Sequence, residues 1–324
     1  MDEKDLYAYV GEAVEAELGR VGSSRALPID NSVREYVLAG KRVRPLTFLL
    51  ALKAERPDLL NSREVRQVCA AIEVCHRSTL VSDDVIDGQA TRNGHRTIAV
   101  AESRSVAVLV APYLQALALD ICPAKYRAHI NAGVRDTLAG QIMQERQKLA
   151  SMSLVFRENE KVVRYKSSSI GAAGLRVARE MLADPQWTES VVDDLSWAMA
   201  RAYQTCNDIA DVSLWVEGRE SRLPSDVANR TPTLPILIAL RDSAGRMRRE
   251  LLSYFNGRSS ELPDCARRVF VDVGAVEKCR EVVKENLACA VSIAVRILPN
   301  TPARDQFVQM VQSQWRDAYL LTGG

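Results

Sequence analysis

Residues 70–87 read AAIEVCHRSTLVSDDVID, an apolar run with helical spacing that ends in three aspartates, Asp83, Asp84 and Asp87. On a helix these stand at i, i+1 and i+4, so Asp83 and Asp87 stack on one face with Asp84 beside them. Like charges this close repel, and a divalent cation is the natural remedy. A solvated helix end would also carry acidic residues, so the segment alone leaves both readings open. The spacing recurs 124 residues later in SWAMARAYQTCNDIADVSLW (residues 196–215), where Asn207, Asp208 and Asp211 occupy the matching positions. Two such clusters on two helices can face one another across a cavity. Their hard oxygen ligands suit Mg²⁺, which keeps waters and binds substrate phosphates.

Outward from these two runs, apolar residues recur at helical spacing along nearly the whole chain, and no alternating strand pattern stands out. The periodicity predicts helices near 3–20, 30–40, 43–55, 62–87, 96–121, 125–150, 157–183, 187–216, 229–243, 245–257, 262–270, 273–297 and 301–320. The breaks carry turn chemistry: Arg56-Pro57-Asp58, Asn93-Gly94, Asp184-Pro185, Leu223-Pro224-Ser225-Asp226 and Pro299-Asn300. With no linker, low-complexity stretch or fixed-period repeat, the expected architecture is all-α, one large helical bundle over residues 1–324.

The composition agrees. Only 16 Gly and 12 Pro in 324 residues favour long helices, and 47% apolar residues supply a large core. The 43 basic and 41 acidic residues nearly cancel, which excludes a bulk electrostatic footprint for nucleic acid. Seven scattered cysteines without a CxxC pair read as reduced thiols of a cytoplasmic protein. The three histidines lack zinc spacing. The start, MDEKDLYAYVGEAVEAELGRV, is acidic and amphipathic, unlike a signal peptide. The most apolar run, Val106 to Leu119, contains Pro112 and Gln115 and is short for a bilayer, so no transmembrane segment is expected.

Cations complete the pattern. Gly40-Lys41-Arg42-Val43-Arg44-Pro45 puts three basic residues at a helix start, where backbone N–H groups also favour anions. Arg92 follows the first carboxylate cluster, and Lys166 precedes Ser167-Ser168-Ser169. Acidic clusters with interspersed cations describe a site for a metal-bound polyphosphate.

From about residue 38 to 240 these features resemble, in order, the trans-isoprenyl diphosphate synthase (polyprenyl synthetase) family. GKRVRP resembles its GKRxRP motif, and DDVID with Arg92-Asn93-Gly94 resembles the first aspartate-rich motif and its RRG tail. Tyr165-Lys166-Ser167 resembles the Lys-Thr motif, and Tyr203-Gln204 with NDIAD the FQxxDDxxD motif. Thr233-Leu234-Pro235 resembles the TLP after the following loop.

The resemblance implies an isoprenoid-synthase-like bundle around a central cavity and head-to-tail prenyl transfer. The implied metal ligands are Asp83, Asp87, Asn207, Asp208 and Asp211, holding Mg²⁺, roughly three ions bound with substrate diphosphate. Asp83, Asp84, Asp87, Lys166 and Gln204 are the implied catalytic residues. Arg92 and Lys166 should add fixed positive charge where negative charge develops, and Arg222 and Arg230 are further implied substrate-binding residues. The diphosphate of isopentenyl diphosphate would sit on Lys41 and Arg42, and departing diphosphate would accept the proton. Ser78 and Thr79 resemble floor positions below the growing chain, and their small size implies a product of C20 or longer. A homodimer is also implied.

Several residues depart from the family pattern. Asn93 replaces the second Arg of RRG, Ser82 a His or Gln, and Ala111-Pro112 a Gly-Asp; Asn207 replaces an Asp. Arg222 and Arg230 stand one residue out of register with expected lysines, and the end AYLLTGG lacks a basic tail. These changes keep three alternatives open: a relative that cyclises the chain, one that passes it to an indole or peptide acceptor, or a non-catalytic partner subunit.

Overall fold

The computed structural model of the chain describes residues 2–22, 31–147 and 152–313. Its elements in chain order are α1 (Glu3–Gly22), α2 (Asn31–Leu38), α3 (Val43–Glu55), α4 (Arg63–Asp87), β1 (Thr91–Arg92), β2 (His95–Arg96), α5 (Ile98–Ala101) and α6 (Arg104–Ile121). There follow α7 (Arg127–Gln147), α8 (Met152–Val163), a π-helical turn at Arg164–Ser168, α9 (Ser169–Leu182) and α10 (Glu189–Val216). The remainder is α11 (Ser225–Ala228), α12 (Leu234–Asp242), α13 (Gly245–Phe255), α14 (Ala266–Asp272), α15 (Ala275–Ile297) and α16 (Pro302–Ser313). The fold is all-α. The expected helix ends at residues 148–150 and 314–320, the start at 30, and the AYLLTGG tail lie outside the described residues.

Three expected helices are interrupted, each for a local reason. The 96–121 segment splits because Ser103 caps α6, its Oγ accepting from Val106 N at 3.1 Å. The 229–243 segment loses its first five residues to turn and coil that include Pro232, and α12 starts at Leu234 with Pro235 in its first turn. The 157–183 segment carries the π-helical turn. The Asn93-Gly94 break is a two-residue β-hairpin turn pairing Thr91 with Arg96 and Arg92 with His95. Asn93 (φ 50°) and Gly94 (φ 81°) both sit at positive φ, as a type I′ turn requires.

By contacts the chain forms two compact units. The first comprises Met1–Leu138, Ser169–Asp193 and Ala294–Phe307. In it α4 packs along α6, and α3 against α9. Gly174 of α9 lets that helix close in, since a Cβ there would press on Ile72 and lie beside Phe48. The second unit comprises Ala139–Ser168, Asp194–Ile293 and Val308–Gly324. Its core draws on α10, α12, α13, α14 and α15 through Ile209, Trp215, Ile236, Leu251, Phe270 and Val283. Trp215 meets Phe270 edge-on at 5.5 Å.

Candidate active site

In the first unit the aspartates occupy the last turn of α4. The helix stops at Gly88, whose φ of 65° is left-handed and favours glycine. The hairpin then folds Arg92 back, so that its Nε and Nη2 reach Asp84 Oδ1 at 2.7 and 2.6 Å. Tyr36 OH donates to Asp84 Oδ2 at 2.6 Å. Asp84 is 2% exposed with both oxygens taken. Burial, with the Asp84 charge beside it, pushes the Tyr36 hydroxyl far above its ordinary value. Asp84 therefore braces the site, while Asp83 and Asp87 are half-buried one helical turn apart.

The cationic loop sorts its members in the same way. Arg42, the residue before α3, has a left-handed backbone with φ 49°. Its Nη1 donates to Tyr7 O at 2.8 Å, its Nη2 donates to Leu38 O at 2.9 Å, and its guanidinium lies 4.3 Å over the Tyr7 ring. Arg42, expected to hold diphosphate, is thus a clamp on α1 and α2. Arg44 instead meets His76 Nε2 at 2.8 Å. Burial, then Arg44, Arg77 and Arg92, push His76 well below its ordinary value, so the imidazole is the neutral acceptor. Lys41 is exposed.

In the second unit the π-helical turn centres on Lys166. Its backbone lies against Gly140 of α7, where any Cβ would collide with it. Lys166 Nζ donates to Gln144 Oε1 at 2.7 Å. Ser167 Oγ donates to Gln204 Oε1 at 3.0 Å, and Gln204 Nε2 donates to Asp208 Oδ1 at 2.8 Å. The Leu234 N–H at the start of α12 donates to Asp208 Oδ2 at 3.2 Å. Asp208 is 5% exposed. Burial pushes its carboxyl up to about 6, opposed by the Gln204 and Leu234 donors. Asp211 caps α11: its Oδ1 accepts from Ser225 N and Oγ at 3.2 and 2.6 Å, and its Oδ2 from Asp226 N at 2.9 Å. Asn207 is exposed.

The two arginines of the following loop do not replace the missing lysines equally. Arg222 is exposed, whereas Arg230 (φ 55°) donates to Ser259 O at 2.9 Å and lies 4.7 Å over the Tyr254 ring. Arg230, expected to bind substrate, is spent on the α13 side of its unit. Ser78 and Thr79 turn their hydroxyls back to the carbonyls of Cys75 and His76. Ser78 has 0% exposure and Thr79 6%, so only Thr79 touches accessible space. Sequence reasoning missed Tyr36, Gln144 and His76; Gly140, small and one turn before Gln144, was the available signal for the second.

Asp83 and Asp87 fit a hydrated Mg²⁺, which takes one or two carboxylates and completes its shell with water and phosphate. Among the described residues no group of three or more His, Cys, Asp or Glu could enclose a metal by protein ligands alone. That donor set suits a metal shared with substrate phosphate.

This all-helical chain combines paired carboxylates, a half-buried arginine brace and a lysine on a π-helical turn, groups whose chemistry suits a diphosphate ester. The sequence profile described as polyprenyl synthetase matches residues 28–271. The chain is 30% identical to nonaprenyl diphosphate synthase of Mycobacterium tuberculosis, over 84% of this chain and 80% of that one. It is 29% identical to heptaprenyl diphosphate synthase component 2 of Geobacillus stearothermophilus, over 74% and 76%. The polyprenyl synthase of Caulobacter crescentus, solved with calcium and isoprenyl diphosphate, shares the fold at a TM-score of 0.78 and 20% identity, covering 96% and 97%. The chain belongs to the polyprenyl synthetase family, the trans-prenyltransferases that elongate prenyl chains.

Proposed function

We propose that this protein condenses an allylic diphosphate with isopentenyl diphosphate in a Mg²⁺-dependent reaction, giving a trans-polyprenyl diphosphate of C20 or longer. The observation that carries this is the half-buried Asp83–Asp87 pair, braced from behind by the Arg92–Asp84–Tyr36 cluster. Asp83 and Asp87 would hold Mg²⁺, which would supply the charge neutralisation that makes diphosphate a leaving group. Arg92 keeps the carboxylate face in register and offers its exposed edge to phosphate. Lys166, fixed by Gln144, is a held positive charge of the second unit. Lys41, Arg44 and His76 form the acceptor diphosphate subsite, with Arg44 in the role expected of Arg42. Asp208 orients Gln204 and the start of α12. Incubating labelled farnesyl diphosphate with and without isopentenyl diphosphate tests the reading: chain growth only with both supports it, and a cyclic or hydrolysed product without the second overturns it.

A second reading has its own support. The exposed member of the second cluster is an amide, Asn207, and Arg230 is committed elsewhere. A chain so depleted suits a subunit that turns over only with a partner, and one relative is named as a second component. Activity appearing only on mixing with a catalytic relative would favour it.

The chain-length floor is assigned to Thr79. Thr79→Phe is expected to shorten the product by one or more five-carbon units, read by chromatography of the dephosphorylated products. Ser78→Phe instead overpacks a filled interior and is expected to cost about 1–3 kcal/mol in a denaturant melt. An unchanged product from Thr79→Phe would remove the floor assignment.

We also propose a homodimer. Among the described residues α6 is the one helix long and apolar enough to cross a membrane, but Ala107, Val110, Ala111, Leu114, Leu117 and Ala118 bury one face of it against the core. Its other face exposes Val108 (55%) and Leu109 (71%), with Pro112 and Ala116. An apolar stripe of this kind is an interaction surface. Light scattering is expected to give twice the chain mass of 35.9 kDa, falling to one mass for Leu109→Glu. A monomeric wild type at micromolar concentration would refute it.

A further inference from the structure

Arg77 lies on α4 between the first carboxylate cluster and the core, and no part of the reaction described so far uses it. It is 2% exposed. Its Nε donates to Glu73 Oε1 at 2.8 Å, one turn deeper in the same helix. A guanidinium carries five N–H donors. Neither Nη group has an acceptor among the described residues. Four N–H donors of a nearly buried cation therefore stand without a protein partner among the described residues, and the Nη groups keep what little solvent contact the side chain has, so they are open to an anionic ligand.

Their direction is fixed by Gly40. A Cβ built there would fall on Nη2, Cζ and Nη1 of Arg77, so the guanidinium abuts the backbone immediately before Lys41. Gly40 has φ 155°, and its carbonyl accepts from Tyr7 OH. The Glu73–Arg77 pair is thus an oriented dipole with Glu73 inward and the Nη edge toward the Gly40–Arg44 loop. Arg77 also bears electrostatically on His76, the acceptor of Arg44. On the hairpin nearby, Asn93 holds the left-handed turn position and supplies no charge.

We infer that Arg77 is an anion ligand of this chain, a buried guanidinium that joins Lys41, Arg44 and His76 in binding the diphosphate of the acceptor and replaces the charge missing at Asn93. This rests on the acceptor subsite proposed above. Glu73 keeps the cation from repelling Arg44 when the subsite is empty, and diphosphate oxygens satisfy the Nη donors when it is filled.

Calorimetric titration of the full chain with isopentenyl diphosphate, and separately with inorganic diphosphate, tests it. Removing Arg77 alone strands Glu73, so the first variant is the neutral pair Arg77→Met with Glu73→Gln; the second is Gly40→Ala, which keeps both charges but displaces the guanidinium. Each is expected to weaken isopentenyl diphosphate binding about ten- to a hundredfold. In turnover assays each should raise KM for isopentenyl diphosphate while leaving KM for the allylic substrate within about twofold. Asn93→Arg added to the neutral pair should recover most of the loss. Wild-type binding with unchanged affinity in both variants overturns the role of Arg77 and leaves the acceptor subsite standing. Equal loss for inorganic and isopentenyl diphosphate, with no preference for the ester in the wild type, keeps Arg77 as an anion ligand but overturns the acceptor reading. A wild type that binds neither overturns both.

Discussion

Asp83→Ala and Asp87→Ala are each expected to lower turnover by at least about 10³-fold, the scale of several kcal/mol that a Lewis-acid metal contributes to a developing anion. Folding stability should change by less than about 1 kcal/mol. Both side chains are half-buried, and each loses repulsion from its neighbour, while Asp83 also gives up attraction to Arg92. Asp84→Ala separates the roles. It strands the buried Tyr36 hydroxyl and the Arg92 guanidinium, and is expected to cost about 3–5 kcal/mol. Product assays and thermal melts on the three variants check the contrast. Near-normal turnover in either Asp83→Ala or Asp87→Ala would falsify the metal assignment. An Asp84→Ala variant as stable as wild type would show that the brace is unimportant.

Much of this was legible in residues 70–87 and 196–215. Helical periodicity put both clusters near the ends of long helices, and the i, i+4 pair was visible as such. The division of labour was not, because it depends on what covers each face. Asp84 and Asp83 are chain neighbours, and only Tyr36, 48 residues earlier, makes the former a brace. Lys41, Arg42 and Arg44 look equivalent in sequence, yet the Arg42 guanidinium, on a left-handed backbone, turns to Tyr7 and Leu38. Arg230 is diverted in the same way, by a positive φ and an aromatic ring 24 residues away. Asn93 is the opposite case. It reads as a lost cation, but the type I′ turn that returns Arg92 to Asp84 favours Asn at that position. The interruptions of helices were partly readable from Ser103 and Pro232, whereas the π-helical turn depends on Gly140 in another helix.

Asp208→Asn is expected to make the metal-free protein more stable and the enzyme slower. The Asp208 carboxyl titrates at about 6 in the folded chain because burial penalises its charge, against an ordinary value of 3.8. Between those values the folded state binds more protons than the unfolded state, so stability falls as pH rises through this window. The stabilisation is complete below about pH 4 and lost above about pH 6, which leaves a buried charge costing up to about 3 kcal/mol at pH 8. An asparagine removes that charge and fits the donors present. Its oxygen can accept the Leu234 N–H, and its amide nitrogen can face Gln204, whose own amide turns over to accept while Ser167 Oγ then receives its N–H. Urea unfolding in chelator should therefore show the variant ahead by about 3 kcal/mol at pH 8 and by about half that at pH 5. Turnover is expected to fall at least tenfold, since the reversed network no longer presents Ser167 and Gln204 as the wild type does. Parallel stabilities from pH 5 to 8 would mean that Asp208 is not strained by its burial. A variant that gains stability and keeps full turnover would reduce Asp208 to a core residue.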